Sequence, residues 1–242
     1  MSITTVVLIL IFTFLSTFIQ RVTGFGFGIT FMSIAPFLMP SYGEATALCG
    51  SLAVICAIVT GVKLFRYVSW KKLLPILLTF LIVSFFGVKF VAKTDSHLLK
   101  HILGVILILV SLYFFFLNGR IRIKPSIPVQ VGMGAISGVM GGLFAMQGPP
   151  AVIYFISCTD EKQEYMALTQ WYFIVGNIFM TCFRAGNGLF TPTVGKAWLV
   201  GVGAVLLGLF VGSKVYDRMP VGLIRKFVYI FIAISGIVAL IS

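Results

Sequence analysis

Apolar residues gather along the chain into ten stretches separated by short polar or basic connectors. They run Ile3–Ile19, Phe25–Met39, Ala45–Val62, Leu73–Val91 and Leu98–Leu117, then Val129–Gly141, Leu143–Ser157, Tyr165–Phe183, Ala197–Val215 and Val221–Ile241. A helix crosses the hydrocarbon core of a bilayer with about 20 mostly apolar residues. A chain of 242 residues therefore holds eight full crossings with loops, or ten if some are short. The pattern predicts an all-α polytopic membrane protein. The stretch Asn118–Ser126, NGRIRIKPS, is polar and basic, lies midway, and reads as a connector between two halves, residues 1–120 and 121–242.

Composition agrees with the pattern. AVILMFWYC residues make up 60% of the chain and charged residues only 10%, against roughly 25% charged in soluble globular proteins. A large water-soluble domain is excluded. The net charge of +12 would suggest nucleic acid in a soluble protein, but here Lys and Arg are spread through short connectors, as in cytoplasmic loops. Cys49, Cys56, Cys158 and Cys182 stand in apolar runs without C-x-x-C spacing and read as packing residues. The N-terminal stretch has no basic start and no small-x-small cleavage site, so it reads as a retained first helix.

The two halves match in order. At an offset of 114, TGFGFGITFMSIAP from Thr23 overlays SGVMGGLFAMQGPP from Ser137, pairing Gly24 with Gly138, Gly28 with Gly142, Met32 with Met146 and Pro36 with Pro150. At 120, Glu44, Ala47 and Leu48 meet Glu164, Ala167 and Leu168, and at 125 Phe85, Gly87 and Lys89 meet Phe210, Gly212 and Lys214. Repeated halves are a common construction of membrane transporters. With five crossings per half, thirteen cations fall on one side and five on the other, the minority being Lys89, Lys93, Lys100, Arg184 and Lys196. That bias places both termini outside. An odd number of crossings inverts the second half, so the expected architecture is two inverted repeats of about five helices each, with discontinuous or re-entrant glycine-rich segments.

Gly24, Gly26 and Gly28 alternate, and each would weaken a regular helix by roughly 1 kcal/mol relative to alanine. Two readings fit them. In one the helix breaks, its freed N–H groups face a ligand, and a new half-helix presents its positive end to an anion. In the other, Gly24 with Gly28, and Gly138 with Gly142, let helices pack closely. Arg21, the one charged side chain among the first 43 residues, is either a binding group or a cation topping a cytoplasmic turn. In the second half no charge lies between Lys124 and Asp160, so Ser137 and Gln147, beside the Gly148–Pro150 kink, are the polar groups at hand. Gln20, Thr23, Thr169, Gln170 and Asn177 are polar groups within apolar runs that either line a pathway or bond to a neighbouring helix.

The paired glycine-rich segments ending in proline, together with a G-x-K and a basic residue eleven positions after the lysine in each half, Gly87 to Lys100 and Gly212 to Arg225, resemble the sulfite exporter TauE/SafE family of membrane permeases. The likeness covers essentially the whole chain. It implies a polytopic inner-membrane transporter of small anions, typically sulfite, sulfonates or other sulfur-containing organic acids. The family pattern falls on Gly24, Gly28 and Pro36, and on Gly138, Gly142 and Pro150. Phe25, Phe27 and the run Phe144-Ala145-Met146-Gln147 depart from the denser glycine of many relatives, which leaves the size of the substrate open.

The expected function is alternating-access transport of a small anion, with Gln20, Arg21, Thr23, Gly24, Phe25, Gly26, Phe27, Gly28, Gly142, Gln147, Gln170 and Asn177 around it. Export is favoured, because an anion leaving a negative-inside cell gains about 2.3 kcal/mol per charge per 100 mV. Uptake would need a coupling proton, for which Glu44 and Glu164 are the first candidates. An anion channel is a weaker alternative, since only one copy has alternating glycines. An enzyme is not expected: His97 and His101 share a helix face but no third metal ligand stands near them in sequence. The expected partners are a small anionic substrate and the lipid bilayer, with a homodimer compatible, no nucleic acid, and no cofactor.

Overall fold

The computed structural model describes residues 1–116 and 124–216, all of whose regular structure is helical. Helix α1, Ile3–Thr23, starts at Ser2, whose hydroxyl accepts the N–H of Thr5, and ends at Gly24. Gly24 takes φ +87° and Gly26 φ +106°, a left-handed backbone that costs other residues roughly 1–2 kcal/mol. The chain restarts as α2, Phe27–Met32, and α3, Ala35–Leu38. Helix α4, Tyr42–Gly61, is capped by Ser41 and runs on through a 3-10 turn, Val62–Tyr67. Helices α5, Trp70–Lys93, and α6, Ser96–Phe116, complete the half.

The order of long and short elements recurs. Helix α7, Ile127–Phe144, ends at Ala145, which with φ +55° is the one non-glycine residue of positive φ among those described. Helix α8, Gly148–Cys158, follows, then α9, Lys162–Gly186, and α10, Pro192–Tyr216. Pro149 and Pro150 explain why the chain cannot run straight on. They lack an N–H and would clash in a helix interior, but they fit the first turn of a new one. The apolar run Val129–Gly141 lies within this helix, which continues to Phe144 with Gly138 and Gly142 in its interior. The break that follows α1 therefore finds its counterpart at Ala145, not at Gly138. The apolar run Val221–Ile241 and most of the connector lie outside the described residues.

Among the described residues, seven helices are long and apolar enough to cross a membrane: α1, α4 with its 3-10 turn, α5, α6, α7, α9 and α10. The chain is thus a multi-pass membrane protein. Helices α4 and α9 are its centre, with 67% and 56% of their apolar windows buried against 33% for α1, α5 and α6. Lipid-facing stripes recur at helical spacing, as in Leu78, Ile82, Phe86 and Phe90 of α5, all exposed.

Glycines set the close crossings. Gly134, Gly138 and Gly142 of α7 lie on Ile76, Val83 and Ser84 of α5, so these helices run parallel. Gly208 and Gly212 of α10 lie on Thr17 and Arg21 of α1, again parallel. Gly50 and Gly61 of α4 lie on Arg184 and Gln170 of α9, in reverse order, so the central pair is antiparallel. The packing of α5 on α7 thereby mirrors that of α10 on α1.

Candidate functional site between the two helix breaks

The two interruptions meet. Gly28, near the start of α2, lies so close to the second break that a Cβ there would run into the carbonyl oxygen of Ala145. Around this contact a cavity of about 20 Å³ is lined by Gln20 and Gly26–Ile29 from the first half and by Ala145–Gly148 from the second. Ala53 of α4 and Phe173 and Asn177 of α9 close its walls. A volume of that size holds about one water, so anything larger would enter only if the breaks part.

The chemistry of the lining is that of a neutral donor set. Phe27, Gly28 and Ile29 open α2, so their N–H groups have no carbonyl four residues back in the same helix, while Thr30 already donates to Gly26. At the start of α8, Pro149 and Pro150 have no N–H, leaving Gly148 to donate there. The first break is the richer in backbone donors. Side chains add to them: Gln20 and Asn177 are 5% and 3% exposed, and the Gln20 amide nitrogen has no partner. The backbone oxygen of Gln147 accepts from Ser137, whose hydroxyl also meets Tyr172 at 2.6 Å.

Other expected residues brace the site without lining it. Gln170 Nε2 donates to the Gly24 carbonyl at 2.9 Å, tying α9 to the first break. The Thr23 hydroxyl sits between the carbonyls of Ile19 and Phe25, and Phe25 is buried. Gly142 packs on Ser84 and Gly87 of α5. Arg21 stands apart from the small cavity: with Lys63 and Lys162 it lines a wider vestibule of about 450 Å³, and its Nε donates to Ser213 at 2.9 Å. Lys72 and Glu164 form an ion pair of 2.8 Å near this end of the bundle.

Sequence reasoning missed Arg184. Counted there among loop cations, it is fully buried on α9, its Nη2 donating to the Gly141 carbonyl at 2.9 Å. A signal was present. Lys162, Met166, Gln170, Phe173, Asn177, Thr181 and Arg184 follow one another at steps of three and four, one face of a helix. That face passes from the vestibule, past the cavity, to Arg184.

Comparison with known proteins points the same way. The profile of the family described as Sulfite exporter TauE/SafE matches residues 8–239. The chain is also similar to the probable sulfite/organosulfonate exporter TauE of Cupriavidus necator, 20% identical over 208 residues, covering 82% of this chain and 79% of that one. No solved structure matches.

Proposed function

The chain belongs to the sulfite exporter TauE/SafE family, and we propose that it carries small, sulfur-containing anions such as sulfite or organosulfonates across the inner membrane by alternating access. The observation that carries this reading is the meeting of the two breaks around a neutral cavity rich in donors, next to a basic vestibule. An anion entering a low-dielectric site loses its water, and several convergent N–H groups are needed to replace it. The amides of Phe27, Gly28 and Ile29 with the carboxamides of Gln20, Gln147 and Asn177 form such a set. Arg21, Lys63 and Lys162 gather anions at the mouth.

Alternation between access from either side calls for two halves of opposite orientation, residues 1–120 and 121–242. Helices α4 and α9 share Glu44/Glu164, Ala47/Ala167 and Leu48/Leu168 at equivalent positions and cross antiparallel, as an inverted pair does. In the first half the chain leaves α1 at Gly24, beside Tyr165 and Met166, and enters α4 at Gly43, beside Leu189. These contacts lie at opposite ends of α9, so the broken segment traverses the bundle.

Export follows from the membrane potential alone, and uptake would need a proton or another co-ion. The test is substrate-induced current in reconstituted vesicles with and without a pH gradient. Current independent of the gradient supports passive export, and strict dependence on it would replace export by proton-coupled uptake. In the same vesicles Arg21→Ala is expected to weaken flux at low salt most, because a surface cation steers its ligand over roughly a Debye length of about 10 Å at 0.1 M. Unchanged flux at every ionic strength would remove Arg21 from the pathway.

A further inference from the structure

The cavity proposed to hold an anion has no charged side chain in its wall. One layer behind that wall is Arg184. Its guanidinium is fully buried, and a guanidinium keeps its charge in proteins. Nη2 caps the Gly141 carbonyl, but Nε and Nη1 have no partner. No carboxylate among the described residues forms an ion pair with Arg184 to balance this charge. A buried cation with two idle donors is unfavourable unless something else satisfies it. Capping Gly141 would require one neutral N–H, which a glutamine could supply.

The surroundings place one of the idle donors, Nη1, beside α4. A Cβ on Gly50 of α4 would stand 2.8 Å from Arg184 Nη1, 3.5 Å from Thr181 Oγ1 and 3.9 Å from Asn177 Oδ1. Asn177 lines the cavity, and so does Gln147, whose Cβ would be 3.0 Å from a Cβ on Gly141. The absence of a side chain at Gly50 thus lets the guanidinium, Thr181 and Asn177 pack together against α4, with Asn177 in the cavity wall. The Thr181 hydroxyl and that of the fully buried Tyr42, which is within electrostatic reach of Arg184, also have no partner.

We propose that Arg184 supplies the positive charge of the central site: an anion held between the breaks lies against Asn177, with Nε and Nη1 of Arg184 and the Thr181 hydroxyl turned toward it. This rests on the transport reading above and assigns its binding charge. Arg21 draws anions to the mouth; Arg184 holds them.

Purified protein is tested for thermal stabilisation by sulfite, methanesulfonate and sulfoacetate, with uncharged dimethyl sulfone as control, and vesicles for flux. At least one anion, and not the sulfone, is expected to raise the melting temperature of the wild type. No stabilisation and no flux with any anion would overturn the transport reading itself, before any variant is made. In Arg184→Gln and Arg184→Met the anion-induced shift is expected to vanish and KM to rise on the order of 30-fold or more. Their melting temperature without anion is expected to hold or rise, because an uncompensated buried charge has gone. Arg184→Lys retains part of the shift. If Arg184→Gln or Arg184→Met keeps the wild-type shift and KM, Arg184 is a helix cap and the inference fails while the transport reading stands. Should neither variant fold, Gly50→Ala decides: it keeps the charge but crowds Nη1, and is expected to lose the anion shift, whereas a full shift overturns the inference.

Discussion

At the scale of single residues, the account turns on positions where backbone approaches backbone. Gly28 has no room for a methyl group, because the Ala145 carbonyl occupies that place. Overpacking of this kind costs about 1–3 kcal/mol or forces the backbones apart. Gly28→Ala is expected to lower the melting temperature or to abolish flux at wild-type expression, and a variant with neither change would show that the two breaks do not touch. Ala145 offers the opposite test. It sits at φ +55°, where glycine carries no Cβ penalty. Ala145→Gly is expected to be tolerated and to raise stability by up to about 1 kcal/mol, measured as a higher midpoint in thermal unfolding; a clear loss would mean that the Ala145 methyl packs usefully. Legibility at this scale was uneven. Alternating glycines announced the first break, because left-handed backbone selects glycine. The second was harder to see, since it uses alanine at the turn and relies on Pro149 and Pro150 to stop the helix. Gly138 and Gly142 carry the same spacing as Gly24 and Gly28 but serve the crossing of α7 on α5, a distinction that depends on what each glycine faces.

At the scale of elements, α9 carries most of the residues of the proposed pathway. From Lys162 to Arg184 a helix rises about 33 Å, close to the roughly 30 Å of a hydrocarbon core. Its polar face meets a facing row of small residues on α4, Gly50, Ala53 and Gly61, so the large side chains stand on one helix and the space for them on the other. Enlarging that row is expected to block passage without disturbing the lipid-facing surface. Ala53→Leu, which places bulk into the cavity wall, should cut flux at least about tenfold with expression intact, and normal flux would move the pathway away from α4. The sequence showed Gln170 and Asn177 as polar groups in apolar runs, but it could not say which face of α9 they share with Arg184. Counting Arg184 as a loop cation followed from its nearness to the end of an apolar run. Burial of a charge is decided by neighbouring helices, and those contacts are distant in sequence.

At the scale of the whole molecule, seven of the ten apolar stretches are helices long enough to cross, because the lack of water in a bilayer leaves little besides helices to satisfy the backbone. What the hydrophobic pattern could not give was the partnering of α1 with α10 and of α5 with α7, which interlocks the halves. Orientation is open to test. In a cysteine-free background, Lys71→Cys and Lys196→Cys, both exposed, lie at opposite ends of the bundle, and the positive-inside bias puts Lys71 in the cytoplasm. Impermeant maleimide added outside is expected to label the second and not the first, and the reverse pattern would invert the topology.

The most direct test of the account is flux of sulfite and organosulfonates into proteoliposomes under an imposed inside-positive potential. Saturable accumulation that grows with the potential and is absent in protein-free vesicles is the expected result. Accumulation no greater than in protein-free vesicles, for every anion and at every potential, would contradict it.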